Sequence, residues 1–234
     1  MATIQPVILL CIAFCVILII MIIMMTVSES NNKNNNKNNK HQENLMENEP
    51  APVLSPLSGY EPELDLDSWN DEFDYTSYHN CYDYAFDNKR TSIRYRSQPG
   101  TINGERIEGH KYTCEAVDEK LREDHPEIYS IPFEKPCKPG TYKIALMVDK
   151  GTTIPILNRT FGADYHFMRQ DDNGLWSHKP GANPVTRFDG DGELIYAPHD
   201  AERDTGNYNY SDMCGYYCVG TESKNNFEQF LNKQ

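Results

Sequence analysis

Cys81 and His166 are the side chains of this sequence best placed to carry nucleophilic chemistry. Cys81 follows Asn80 at the start of the stretch NCYDYAFDN, residues 80–88. Asn is a strong helix N-cap because its side-chain oxygen accepts an orphan amide hydrogen bond. Tyr82, Ala85 and Phe86, three and four residues apart, give this helix one apolar face. At a helix's first turn the dipole and free amides favour a thiolate and can hold the oxyanion of a tetrahedral intermediate. The spacing therefore predicts Cys81 as nucleophile, with the Cys81 amide and the Asn80 or Tyr78 side chain as oxyanion donors.

A nucleophilic thiol needs a base from elsewhere in the fold. Asp171-Asp172-Asn173-Gly174 is a hairpin turn between two strand-like runs, Ala163–Arg169 and Leu175–Lys179. Pairing Asp171 with Gly174 sets His166 opposite Lys179, with His178 one step away. A one-residue bulge would make the two histidines direct partners, roughly 5 Å apart at Cβ. His166 is then the candidate base and His178 the residue that orients it, a Cys–His–His version of triad logic. Asn183 is an alternative third polar residue. Against this stands a plainer reading, in which Cys81 is a buried core thiol and the histidines are hydrogen-bonded core residues.

The remaining chemistry-bearing residues point to less. His79 is expected to face solvent ahead of the helix, and His110, His125 and His199 lie in turn-like contexts expected at the surface. Asp189-Gly190-Asp191-Gly192-Glu193 has a superficial likeness to a calcium loop but lacks the spaced ligands of an EF-hand. Cys214 and Cys218 form C-x3-C with no matching second pair, unlike most zinc sites. No metal and no cofactor are expected.

The elements that must position these residues run helices first, strands after. A second helix is predicted from Thr113 to Asp124, closed before Pro126. Thr141–Val148 reads as a strand. A further hairpin is predicted at Val185–Phe188 and Glu193–Tyr196, and Cys214–Val219 ends the sheet. The fold class this implies is α+β, with N-terminal helices packed on an antiparallel sheet.

A helix-borne Cys, then a sheet carrying His, then a polar residue on the next strand resembles the papain-like cysteine peptidase and amidase superfamily, in its NlpC-type or CHAP-type layout. That resemblance implies Cys81 as nucleophile, His166 as base and His178 as orienting residue, over roughly Tyr75–Lys179. The Asp-Cys-Ser-Gly usual around the nucleophile is replaced here by Asn80-Cys81-Tyr82-Asp83-Tyr84. The Asn-Lys repeats and anchored layout are also similar to proteins of AT-rich giant DNA viruses.

The 234 residues, net charge of -13 and seven cysteines are distributed over three unlike pieces. Val7 to Met25 carries no charge and no proline and, at about 1.5 Å per residue, is long enough for a bilayer. It exceeds a signal-peptide core and lacks a basic n-region and a clear cleavage site, so residues 1–27 are expected to be an uncleaved transmembrane anchor, with the lipid bilayer as partner. Residues 28–74 are expected to be a disordered linker, Asn/Lys-rich and then acidic, with ten acids and no Lys or Arg between Glu43 and Asp74. Residues 75–234 are the expected domain. Removing residues 1–74 takes three lysines and eleven acids from 22 and 35, which leaves the domain only mildly acidic. No basic face suggests a nucleic-acid partner.

Membrane topology draws two opposed signals. Lys33, Lys37 and Lys40 follow the span and would hold the domain in the cytoplasm. Cys114, Cys137, Cys214 and Cys218 form an even set suited to two disulfides. On one strand Cys214 and Cys218 would stand about 13 Å apart, so each must pair with Cys114 or Cys137. Two N-glycosylation sequons, at Asn158 and Asn209, agree with a lumenal or external domain. Two functions follow as expectations. One is a membrane-anchored thiol hydrolase acting on a peptide-like amide bond. The other is a non-catalytic membrane or virion protein that displays a disulfide-bonded binding domain. A degenerate enzyme that keeps the fold without turnover stands between them.

Overall fold

The computed structural model describes residues 51–70, 73–89, 96–107, 111–157, 159–220 and 223. The expected anchor at residues 7–25 and most of the expected linker lie outside the described residues. Among the described residues no helix is long and apolar enough to cross a membrane.

A five-stranded antiparallel sheet dominates the domain. Its strands are β1 (Tyr129–Ser130), β2 (Thr141–Asp149), β5 (Asp164–Gln170), β6 (Trp176–His178) and β7 (Asp212–Gly220), in the order β1-β7-β2-β5-β6. A separate two-stranded ribbon pairs β3 (Thr152–Ile154) with β4 (Arg159–Phe161). Among the described residues the helices are short: α1 (Leu66–Asn70), α2 (Phe73–Tyr78), α3 (Cys81–Ala85) and α4 (Cys114–Asp124). With five, six, five and eleven residues they cannot make up a helical layer. The expected papain-like α+β fold, with an anchor ahead of it and N-terminal helices layered on the sheet, is thus corrected to a mostly antiparallel sheet with few, short helices.

The middle strand dictates the packing. Tyr142–Val148 of β2 is buried throughout, so both faces of the sheet must be covered. Side chains alternate between faces along a strand. Ile144, Leu146, Val148, Tyr165, Phe167, Tyr217 and Val219 point to one face, where they meet Tyr82, Ala85, Phe86, Val117 and Leu121. Ala145, Met147, Met168 and Tyr216 point to the other, against Phe133, Trp176, Ile195, Ala197 and Tyr210.

One irregularity lets β7 serve both faces. Leu146 pairs with Gly215 and Met147 with Met213, so Cys214 is an extra residue, a β-bulge. Gly215 adopts φ 142°, which favours glycine. Without the bulge, Cys214 and Cys218 would project from one face. With it, Cys214 turns to the helical face and bonds Cys114 at the start of α4. Cys218, opposite Lys143, bonds Cys137 on the other side. Each β7 cysteine thus has a partner of the expected pair.

The folded unit begins well before residue 75. From Pro52 onward the chain belongs to it. Ser55 is buried, donates to the Phe133 carbonyl at 2.8 Å and accepts from the Lys143 ammonium. Gln170 Nε2 donates to the Ser55 carbonyl at 2.8 Å, and Asn70 exchanges two hydrogen bonds with the Val185 backbone. The acidic run read as linker is therefore in part an arm laid along the sheet. Lys143 also donates to the carbonyls of Phe133 and Lys135, each at 2.7 Å. Its replacement by Met would orphan buried acceptors, each costing about 1–3 kcal/mol. Lys143→Met is expected to lower the urea midpoint and to expose the arm at Ser55 to protease. An unchanged midpoint would show that the cage contributes nothing.

Candidate functional site

Helix α3 starts as its sequence predicts. Asn80 Oδ1 accepts from the amides of Tyr82 and Asp83, each at 3.1 Å, and Asp83 reaches back to the Asn80 amide, completing a capping box. The other half of the Asn80 side chain donates to the Ser97 carbonyl at 2.8 Å. Its polar atoms are therefore committed to structure, not to an oxyanion. Tyr78 is exposed at the end of α2.

Cys81 is a free thiol, buried in the helical-face core. Its Sγ lies 3.9 Å from the Tyr165 carbonyl oxygen. Burial, with the nearby Asp164 carboxylate adding to it, pushes the thiol up to about 12. This is the opposite of activation, which needs an electropositive, accessible setting.

The hairpin brings its two histidines together. Met168 pairs with His178 and Arg169 with Ser177, one step from the predicted register. The loop between the strands has three residues, Asp172, Asn173 and Gly174, closed by Asp171 N–H to the Leu175 carbonyl at 2.9 Å. Gly174, at φ 85°, takes the left-handed position that such loops require. His166 is thus diagonal to His178 on one face, with ring nitrogens 2.7 Å apart. His178 Nε2 lies 3.0 Å from the Phe188 carbonyl, which can only accept, so Nε2 bears the proton. His178 Nδ1 then accepts from His166 Nε2–H. Burial holds both imidazoles neutral, His166 well below its usual range. The His166 ring stacks on Tyr210, whose hydroxyl donates to Asp164 at 2.9 Å.

The structure does not join this pair to Cys81. Tyr165 and Phe167 share the core of Cys81, whereas His166 between them points through to the opposite face. The thiol meets the β5 backbone at the Tyr165 carbonyl, whereas the His166 ring partners His178 and Tyr210, because neighbouring residues in a strand face opposite ways. The Cys–His–His constellation read from the sequence is not assembled.

Two of the remaining histidine expectations are corrected. His79 is buried, edge-on to Trp69 at 5.4 Å, not solvent-facing. His125 is buried and stacked on Phe86 at 4.4 Å, and burial alone depresses it to about 3. His199 is exposed, as expected, and its Nδ1 lies 2.5 Å from the Tyr216 hydroxyl. His110 and Asn158 lie outside the described residues. Asn209 is exposed. Asn183 bonds through its backbone, its N–H donating to the Pro180 carbonyl and its own carbonyl accepting from Lys179 Nζ, each at 2.8 Å. Asp189 closes its own loop, accepting from the amides of Asp191, Glu193 and Glu202. Among the described residues no cluster of His, Cys, Asp and Glu could hold a metal ion.

Sequence reasoning missed the buried cations. Lys143, Arg169 and Lys179 sit inside runs read as ordinary strands. Lys179 donates to the carbonyls of Thr76, Gly181 and Asn183. The signal was available: a cation in an otherwise apolar, fully buried run must find acceptors.

No family model matches the chain, and no solved structure matches it. The chain is 32% identical over 149 residues to insoluble matrix shell protein 1 of Ruditapes philippinarum, an alignment spanning 63% of this chain and 83% of that protein. The chain belongs to the family of that shell matrix protein. With this relationship the reading as a membrane-anchored hydrolase or cysteine peptidase is corrected. The relative is a matrix protein, and among the described residues no helix could span a membrane. The coarser part of the alternative stands: a domain cross-linked by two disulfides.

Two outcomes follow from the site. An electrophilic thiol probe at pH 6 is expected to leave Cys81 unmodified in the native protein and to label it only in denaturant. Native labelling that depends on His166 would restore the nucleophile. Stability is expected to fall in acid. Unfolded histidines take a proton near pH 6.5, whereas buried His125, His166 and His178 resist it. Their contribution is complete above pH 6.5 and drains away below it, down to about 3 for His125. Asp124, raised by burial from 3.8 to about 6, and Asp171, also raised by burial, oppose this, as two groups against three. The urea midpoint at pH 5 should therefore lie below that at pH 7.5, and equal midpoints would contradict the assignment.

Proposed function

We propose that this chain is a non-catalytic structural protein of an insoluble extracellular matrix, held together by Cys114–Cys214 and Cys137–Cys218. The observation that carries this reading is the 32% identity across 83% of the shell matrix protein. Two further features support it. Disulfides form and persist in oxidising, extracellular settings, and here both join distant parts of one domain. The one free thiol among the described residues is sealed in the core and so cannot exchange with them. In this reading the apolar run at Val7–Met25 directs the chain into the secretory route.

The full-length chain expressed in cultured eukaryotic cells is expected in the medium, with both disulfides found by peptide mapping without reductant. Antibodies raised to it should stain the residue left after salt and detergent extraction of the producing organism's extracellular matrix. Recovery in washed cell membranes alone, with no signal in that residue, would overturn the proposal.

A further inference from the structure

We infer that Asn209 carries an N-linked glycan, an inference that rests on the extracellular reading above. Asn209-Tyr210-Ser211 is an N-x-Ser sequon with no proline at its centre. The structure divides the labour among its three residues. Asn209 is exposed, and its backbone N–H donates to Asp149 Oδ2 at 2.7 Å. That bond ties the main chain of an exposed residue without using its side chain. Tyr210 is buried, stacked on His166 at 5.0 Å and bonded to Asp164, so it anchors the centre of the sequon. Ser211 is exposed, and its hydroxyl reaches only Asp212, at 3.5 Å. The sequon thus offers its first and third residues outward from a pinned backbone.

The surroundings suit a bulky polar group. The segment Thr205–Asn209 is exposed throughout. Tyr208 is exposed, with its ring stacked on Tyr210 at 5.9 Å. The two disulfides show that the fold is built for the oxidising compartment in which such transfer occurs. The donor is a lipid-linked diphospho-oligosaccharide. The Asn209 Nδ2–C1 bond forms as the sugar C1–O bond to phosphate breaks. The lipid diphosphate leaves, and the amide proton passes to a base of the transferase.

The test uses the full-length chain secreted by eukaryotic cells. Protein from the medium is treated with peptide-N-glycosidase in heavy-oxygen water, and peptides are read by mass spectrometry. Asn209 is expected to return as Asp bearing the heavy label. S211A should reduce that label to background, and S211T should keep it, with both variants secreted. Secreted, doubly disulfide-bonded protein with unmodified Asn209 would overturn this inference and leave the extracellular reading intact. Protein retained in cells with its thiols reduced would overturn both.

Discussion

The fold is governed by one constraint, a central strand that must be dry on both sides. Seven consecutive residues of β2, Tyr142 to Val148, are buried. A strand at the rim of a sheet can leave one face in water, but this one cannot. Tyr82, Phe86, Val117 and Leu121 pack against the first face, and the long irregular stretch that carries Ile195, Ala197 and Tyr210 packs against the second. Helices satisfy their own backbone groups. Irregular chain does not, and so it brings carbonyls into the interior that need donors.

The buried cations answer that need. Lys143 gathers Phe133 and Lys135, Lys179 gathers Thr76, Gly181 and Asn183, and Arg169 bridges Asp171, Tyr84 and Glu63. Each lysine ammonium loses hydration and regains it from several peptide carbonyls, and the Arg169 guanidinium regains it mainly from the Asp171 carboxylate and the Tyr84 hydroxyl. Burial still pulls the two lysines down to about 8. Two of these groups also hold the arm from Pro52 to Asn70, Lys143 through Ser55 and Arg169 through the Glu63 carbonyl. Cover, cation and arm are thus one device.

Much of the local structure was legible in the residues. Asn80 and Thr113 announce two helix starts, and both cap as their side-chain chemistry requires. The nearness of His166 and His178 was legible too, but their register was not. A four-residue reading of Asp171–Gly174 missed that the loop holds three residues and closes on Leu175. The separation of Cys81 from His166 was illegible for a deeper reason. A half-buried strand shows which residues face the core by alternating polar and apolar side chains. β5 is buried on both sides, so Tyr165 and Phe167 on one face and Met168 on the other are all apolar, and the pattern carries no sign of which face His166 shares. The arm was hidden because its acids outnumber its anchors. Ser55 and Asn70 act through hydrogen bonds of single uncharged side chains, which composition does not register.

The bulge at Cys214 has a mechanical consequence. It sends one disulfide to each side of the sheet from a single strand, and the two loops closed by them overlap along the chain, 114 to 214 and 137 to 218. Every residue from 114 to 218 therefore lies within a closed covalent circuit. If the domain were stretched from its ends, the slack would come only from the arm, α3 and the chain up to residue 113, and then from the few residues after 218. Beyond that the load would pass along covalent bonds through β7, and extension would stop with most of the sheet's sequence still enclosed.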